Sequence, residues 1–214
     1  MTKKNLELLQ QEISTAPFGK SIAHSNPIAQ FAIWYDQAVQ SGLLEPGAMT
    51  LATVAPDESP SARIVLLKAF DDRGFVFYTN YNSAKARHLA VNPNVSLIFL
   101  WLELQRQVRI EGRTEKVTGS ESDEYFSTRP RASQIGAWAS PQSQEIPGRQ
   151  NLDDRYLAME KEFQGKEIPR PEFWGGYRVI PETIEFWQGR EGRLHDRLIY
   201  RKYEGQWTIN RLAP

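Results

Sequence analysis

The sequence predicts an α+β chain built on an antiparallel β-barrel with helices around it. Three observations predict this. Apolar and aromatic runs of strand length recur through the chain and are joined by short polar turns, the pattern of hairpins. Helical periodicity is confined to segments between those runs, which suits an α+β arrangement. The signatures of a nucleotide-binding parallel sheet are missing: neither GxGxxG nor GxxxxGK[ST] occurs, and there is no GxSxG elbow.

Taken in order, residues 1 to 25 are polar and mixed, with Pro17 and Gly19, and read as a flexible segment ahead of one domain, 26–214. Asn26-Pro27 opens a helix, Asn as the cap and Pro at the first helical position. Ile28, Phe31, Tyr35 and Val39 follow at helical spacing, and Gly42 closes it. MTLATVA (49–55) and ARIVLLKAF (62–70) read as strands on either side of a polar turn, PDESPS, and DDRG then turns into FVFYTN (75–80). Ser83 caps a short helix, AKARHLAV, which Asn92-Pro93 ends. VSLIFLWLELQRQVRIEGRTEKVT reads as two long strands. GSESDEYFSTRP is a helix whose acidic first turn suits the helix dipole, PRASQIGAWAS a second, and DDRYLAMEKEFQ a third after a polar loop. KEIPRPEFWGG is a proline-rich loop. YRVIPETIEFW, HDRLIYRKY and QWTINRL close the chain as strands, the last two joined at Glu204-Gly205. No repeat or linker divides the domain.

Composition narrows the chemistry. The 214 residues carry 26 Lys+Arg and 26 Asp+Glu, so the net charge is zero and any anion site must be local. With no cysteine, thiolate nucleophiles and Cys-ligated metals are excluded, and the three histidines, His24, His88 and His195, lack metal-ligand spacing. No metal is expected. The longest apolar run, VSLIFLWL (95–102), is too short to span a bilayer and the N-terminal stretch lacks a signal core, so a soluble cytoplasmic protein is the expectation. Asn94-Val95-Ser96 matches the glycosylation pattern by chance on that reading.

Five clusters are candidates for chemistry, each with an ordinary alternative. Arg63 and Lys68 bracket ARIVLLK. On a regular strand they point to opposite faces and one anion binds both only if the strand bulges; alternatively, both are strand ends in solvent. Asn82-Ser83-Ala84-Lys85 places a lysine at a helix start, where backbone N–H groups favour phosphate, or is a plain cap with a solvated lysine. Tyr125, Arg129 and Ser133 recur four apart, an arginine fork with two hydroxyls that suits a phosphate monoester, or surface residues at a helix end. Gln142-Ser143 is a polar pair in a loop. In FWQGREGRLHDRLIY, Arg193, His195 and Arg197 recur at every second place behind Trp187. On a strand they share one face while Asp196 takes the other, so an anion opposite them is expected; the alternative is an edge strand whose charges pair with Asp196 and Glu191. The cations together suit two bound phosphates.

These motifs carry a resemblance. ARIVLLK, VFYTN, Gln105-Arg106-Gln107-Val108, YFSTRPRASQIGAWAS, EFWGG and IEFWQG…RLHDR…W…RLAP closely resemble, in matching order from about Pro27 to Pro214, the pyridoxine/pyridoxamine 5′-phosphate oxidase family. The resemblance implies an FMN-binding split β-barrel and a homodimer with FMN between subunits. It implies that Arg63 and Lys85 hold the FMN phosphate, and that the backbone of Ile64, Val65, Leu66 and Leu67 lines the flavin with Lys68 beside it. Tyr78, Thr79, Gln107, Gln142, Ser143, Trp187 and Arg197 complete that site. Lys68, Tyr125, Arg129 and Ser133 grip the substrate phosphate, and Arg193, Leu194 and His195 cover the substrate ring, with Arg193 and His195 catalytic. The implied reaction passes hydride from substrate C4′ to flavin N5 and reduces O2 to H2O2, giving pyridoxal 5′-phosphate. His195 is then the expected proton acceptor and Arg193 an orienting group. Two features depart from the family pattern: Ala84 stands where the family places an arginine, which implies a lost phosphate contact, and the family's Arg- and Tyr-bearing N-terminal segment is not recognisable in residues 1 to 25. Three other readings stay open: a split-barrel flavin reductase acting on another substrate, a non-catalytic carrier of FMN or pyridoxal phosphate, and a nucleic-acid-binding barrel, against which the neutral charge speaks.

Overall fold

The computed structural model describes residues 17–214. In chain order it runs α1 (Pro27–Gln40), β1 (Ala48–Val54), β2 (Pro60–Leu66), β3 (Ala69–Asp71), β4 (Gly74–Asn80), α2 (Ala84–Val91), β5 (Asn94–Trp101), β6 (Arg106–Lys116), α3 (Gly119–Thr128), α4 (Arg131–Ala139), α5 (Arg149–Glu162), β7 (Trp174–Gln188), β8 (Asp196–Tyr203) and β9 (Gln206–Arg211). All strand pairs are antiparallel, in the order β2-β1-β5-β6-β7-β4-β3, with β8 against β7 and β9 against β8. Because β2 also approaches β4, the sheet curls toward a barrel, and the predicted α+β class holds.

Strand β7 explains the curl. Its first half pairs with β4 up to Val179, and its second half pairs with β8 from Thr183. The exchange falls at Pro181, which has no N–H to give to a ladder, and the register against β6 shifts there, between Glu111 and Gly112. Gly112 permits the approach, since a Cβ on it would stand 2.0 Å from the Ile180 carbonyl oxygen.

Helix α1 closes the barrel. The Asn26 side chain accepts from Ile28 N–H at 2.7 Å and from Ala29 N–H at 3.4 Å, with Pro27 at the first helical position, as the sequence predicts. Phe31 is fully buried among Phe70, Phe75, Phe99 and Trp101. The buried stripe runs through Trp34 and Ala38, so Val39, expected in it, is 49% exposed.

The segment expected to be flexible divides. Residues 1–16 lie outside the described residues. From 17 on the chain is tied to the barrel: Phe18 packs on Trp34 and Phe186, its N–H donates to Asp196 Oδ2 at 3.1 Å, and the Tyr200 hydroxyl donates to the His24 carbonyl at 2.8 Å.

A smaller apolar cluster, Phe126, Ile135, Phe163, Ile168 and Trp174, fastens α3 and α4 and the segment that follows α5 to the edge of the barrel. The Thr118–Glu121 capping box fixes the start of α3. Arg131, the second arginine of STRPR, donates to the Phe163 and Lys166 carbonyls at 2.6 and 2.9 Å and is spent on this packing.

Candidate active site

Strand β2, strand β4 and helices α3 and α4 enclose a cavity of about 480 Å³, within the range of small-molecule sites. Its wall holds Arg63, Lys68, Lys85 and Arg129 and, among the described residues, no carboxylate. In a chain with equal numbers of acids and bases, that concentration of positive charge is local.

ARIVLLKAF is not the single strand the sequence suggests. β2 ends at Leu66 and β3 starts at Ala69; Leu67 N–H donates to the Gly47 carbonyl at 2.8 Å and Lys68 N–H to that of Val76 at 2.9 Å. The chain thus changes partner between Leu67 and Lys68. This break lets Arg63 and Lys68 reach one cavity although strand alternation would part them.

Around Lys85 the polar groups are pre-arranged. Ser83 caps α2, and Lys85 Nζ donates to Thr79 Oγ1 at 3.1 Å and reaches Ser83 Oγ at 3.5 Å. Thr79 Oγ1 donates to Gln142 Oε1 at 3.1 Å, which also accepts Asn80 N–H at 3.4 Å. Arg63 is held from behind: Nη1 donates to the Leu51 carbonyl and Thr53 Oγ1 at 3.2 and 2.7 Å, and Nη2 to Ser61 Oγ at 2.6 Å. Burial, and then the Arg63 charge, push the Lys85 ammonium below its ordinary pKa, and burial does the same to Arg63. A buried ammonium beside a half-buried guanidinium is costly unless an anion joins them.

Around Arg129 the surroundings are aromatic. Its guanidinium lies 4.6 Å from the Trp174 ring and 5.5 Å from that of Phe126, and its Nη1 is buried with no hydrogen-bond partner. Tyr125 stacks on Tyr78 at 4.0 Å, and Tyr78 on Trp174 at 5.3 Å. A buried donor without an acceptor is expensive, and an anion in the cavity would relieve that cost. Ser133, in the first turn of α4, faces the same cavity.

Ile64, Val65 and Leu66 line the first cavity with Tyr78, Thr79 and Gln142; the other residues of the sequence reading lie elsewhere. Leu67 is in the core, and Ser143, in a left-handed turn at φ 66°, does not line the cavity. Gln107, Trp187 and His195 line a second cavity of about 370 Å³ with Leu100, Leu102, Gln105, Arg106 and Gly189, and no residue lines both. Gly176, which pairs with Tyr78, is near the start of β7 and Trp187 near its end. The two cavities of one protomer are therefore separate.

The expected cationic strand face does not form. β8 begins only at Asp196; Arg193 sits in a short 3-10 turn at φ 63° and is exposed, and Leu194 is 73% exposed. Neither lines the first or the second cavity. Arg197 finds its anion in Glu185 at 2.7 Å, and Asp196 binds Arg211 at 2.5 Å. The pairing that the sequence offered as the ordinary alternative is thus realised for Arg197, with Glu185 as partner in place of Asp196 or Glu191. The His195 ring lies 4.6 Å from that of Trp187, tilted by 43°, and its Nδ1 accepts Arg190 N–H at 3.1 Å. That bond leaves the proton of the neutral ring on Nε2, so His195 presents a donor; the proton-accepting role expected of it requires Nδ1 to let go.

Sequence reasoning missed Trp174, Asn80, Gly136, Ala137 and Ser140 in the first cavity and Leu100, Leu102, Gln105, Arg106 and Gly189 in the second. Apart from the glycines they look like core, cap or loop positions, and only pairing across the sheet and helix packing bring them to the walls.

Two family models match the chain. Residues 35–160 match that described as pyridoxamine 5′-phosphate oxidase, and residues 174–214 that of the pyridoxine 5′-phosphate oxidase C-terminal dimerisation region. A pyridoxine/pyridoxamine 5′-phosphate oxidase from Rubrobacter xylanophilus is 53% identical over 212 residues, 99% of this chain and 98% of that protein. One from Acaryochloris marina is 54% identical over 213 residues, 100% of this chain and 97% of that one. Among solved structures, PhzG from Burkholderia lata, in complex with tetrahydrophenazine-1-carboxylic acid, matches with a TM-score of 0.88 at 31% identity, over 94% of this chain and 98% of that one. A pyridoxamine 5′-phosphate oxidase-related, FMN binding protein from Nostoc punctiforme has a TM-score of 0.70 at 17% identity, over 88% and 98%, a likeness of fold.

Proposed function

The chain belongs to the pyridoxamine 5′-phosphate oxidase family, and from that premise we propose that it uses FMN to oxidise pyridoxine 5′-phosphate and pyridoxamine 5′-phosphate to pyridoxal 5′-phosphate, with O2 as the electron acceptor. One observation carries the reading: the first cavity gathers four cations and no carboxylate among the described residues, which suits two phosphate dianions. The buried, unpartnered Arg129 Nη1 and the buried Lys85 beside Arg63 fit such groups.

On this reading FMN supplies a two-electron acceptor for the hydride on substrate C4′ and returns the electrons to O2 as H2O2. Arg63 and Lys85 bind the cofactor phosphate; Thr79 and Gln142, already bonded to each other, orient the ring. Arg129, Lys68, Tyr125 and Ser133 bind the substrate phosphate and fix the distance to C4′. The second cavity belongs to the same site across a homodimer, which the match to a dimerisation region supports, so that Gln107, Trp187 and Arg197 of one protomer meet the first cavity of its partner. Arg193 and Leu194, exposed in the single chain, then cover the substrate ring, and His195 donates from Nε2. Ala84 removes one cation from the phosphate subsite, leaving Lys85 and Arg63 as its charges.

The test is anaerobic mixing of FMN-loaded protein with pyridoxine 5′-phosphate. Loss of the visible absorption of oxidised flavin, restored by O2 with formation of pyridoxal 5′-phosphate and H2O2, is expected. A flavin that stays oxidised with both phosphorylated vitamers overturns the reading. The likeness to PhzG, whose complex holds a tetrahydrophenazine carboxylic acid, makes such carboxylates the comparison substrates.

A further inference from the structure

Glu185 stands in the middle of the sheet face that carries Gln107 and Trp187, and its side chain is only 3% exposed. Two guanidinium groups hold it. Arg197 on β8 donates from Nε to Oε1 at 2.7 Å, and Arg109, directly across the ladder on β6, brings Nη2 to 2.8 Å from Oε2 as an ion pair that lacks hydrogen-bond alignment, so Oε2 is buried without a hydrogen bond. A second clamp acts on Arg197: its Nη1 donates to the Ala213 carbonyl at 2.9 Å, while Leu212 N–H donates to the Arg197 carbonyl at 3.0 Å. With Nε and Nη1 engaged, Nη2 is the edge of the fork left without a partner among the described residues. Arg197 is the cross-strand neighbour of Trp187, so the two side chains leave the sheet on the same face.

An arginine on a mobile stem loses rotamer freedom when it binds; one already held in its bound geometry does not lose it again. We infer that Glu185 is a positioning residue, which locks the Arg197 fork so that Nη2 meets acceptor atoms on the edge of a planar heteroaromatic ring seated against Trp187. The inference rests on the reading of this face as part of the FMN site, and goes beyond it by assigning a buried carboxylate that touches no ligand. Glu185 also cancels one of the two positive charges it joins. Without it, Arg109 and Arg197 repel one another and the fork swings away.

The experiment is a double-mutant cycle between positions 185 and 197, read as the Kd of FMN for the apoprotein by flavin fluorescence quenching. Arg197→Ala is expected to weaken FMN about tenfold, the worth of one charge-assisted hydrogen bond. Glu185→Ala is expected to do nearly the same, and the double variant to be no worse than either single one. Glu185→Gln keeps the shape and the Oε1 acceptor and should recover part of the affinity; it also serves as the cycle's partner should Glu185→Ala fail to fold. Additive losses at 185 and 197, for whichever Glu185 variant folds, overturn the inference and leave the FMN reading standing. An unchanged Kd in Arg197→Ala overturns the FMN reading of this face itself, and the inference with it.

Discussion

Arg129 keeps one buried donor that no group among the described residues takes up. Of the two arginines in STRPR, Arg131 donates from both Nη atoms to backbone carbonyls just after α5, whereas Arg129 keeps a buried Nη1 with no acceptor and lies near Phe126 and Trp174. Replacing it with Ala should raise the KM for pyridoxine 5′-phosphate about 10- to 100-fold, the range of one or two hydrogen bonds to a charged group. The rate with unphosphorylated pyridoxine should hardly move, because it has no phosphate to lose. Steady-state kinetics with both substrates check this; an equal loss for the two would remove Arg129 from phosphate recognition. His195 carries the complementary lesson: its role depends on one backbone N–H, that of Arg190, which no spacing rule reveals.

At the scale of elements, the start of β8 is a clasp. Asp196 accepts Phe18 N–H at 3.1 Å and Arg211 Nη1 at 2.5 Å, and Arg211 Nη2 donates to the Phe18 carbonyl at 3.0 Å, so one carboxylate joins β8, β9 and the segment before α1. Burial works to raise its pKa, but Arg211, the Phe18 amide and Arg190 outweigh it and hold the carboxyl below the usual 3.8. The direction fixes the pH dependence. A carboxyl with a depressed folded pKa contributes its full stability above the unfolded value and loses it as the pH falls through the folded one. The urea midpoint should therefore be flat from pH 7 to about 5 and fall below about 4. Arg211→Ala should lower the midpoint at pH 7 and flatten that fall. An acid limb that is the same in both proteins would mean the clasp is not its source.

At the scale of the molecule, the two cavities belong to different stretches of one sheet, and on the proposed reading a second chain brings them together. Leu100 and Leu102 beside the second cavity are 59% and 70% exposed, and Ile64 at the edge of the first is 63% exposed, in keeping with an apolar face that a partner covers. Leu102→Lys should give a chain that elutes at monomer size and retains no FMN, with its far-UV circular dichroism unchanged. A monomer that still binds FMN stoichiometrically would refute the shared site. Much of this was legible in the sequence. Asn26-Pro27, Ser83 and Glu204-Gly205 mark element ends through local hydrogen bonding and backbone freedom, and alternation in Val108, Ile110 and their neighbours marks strands, because those effects act within a few residues. The motif order by itself determined the family, and with it the residues to inspect. Tertiary structure alone decided which of them meet. The break at Leu67-Lys68 exists because β2 and β3 take different neighbours, which turned Arg63 and Lys68 into one cavity against the alternation rule. The anion facing Arg197 proved to be Glu185, brought beside it by strand pairing, since a charge chooses its partner by distance in space and twelve residues of chain separate these two.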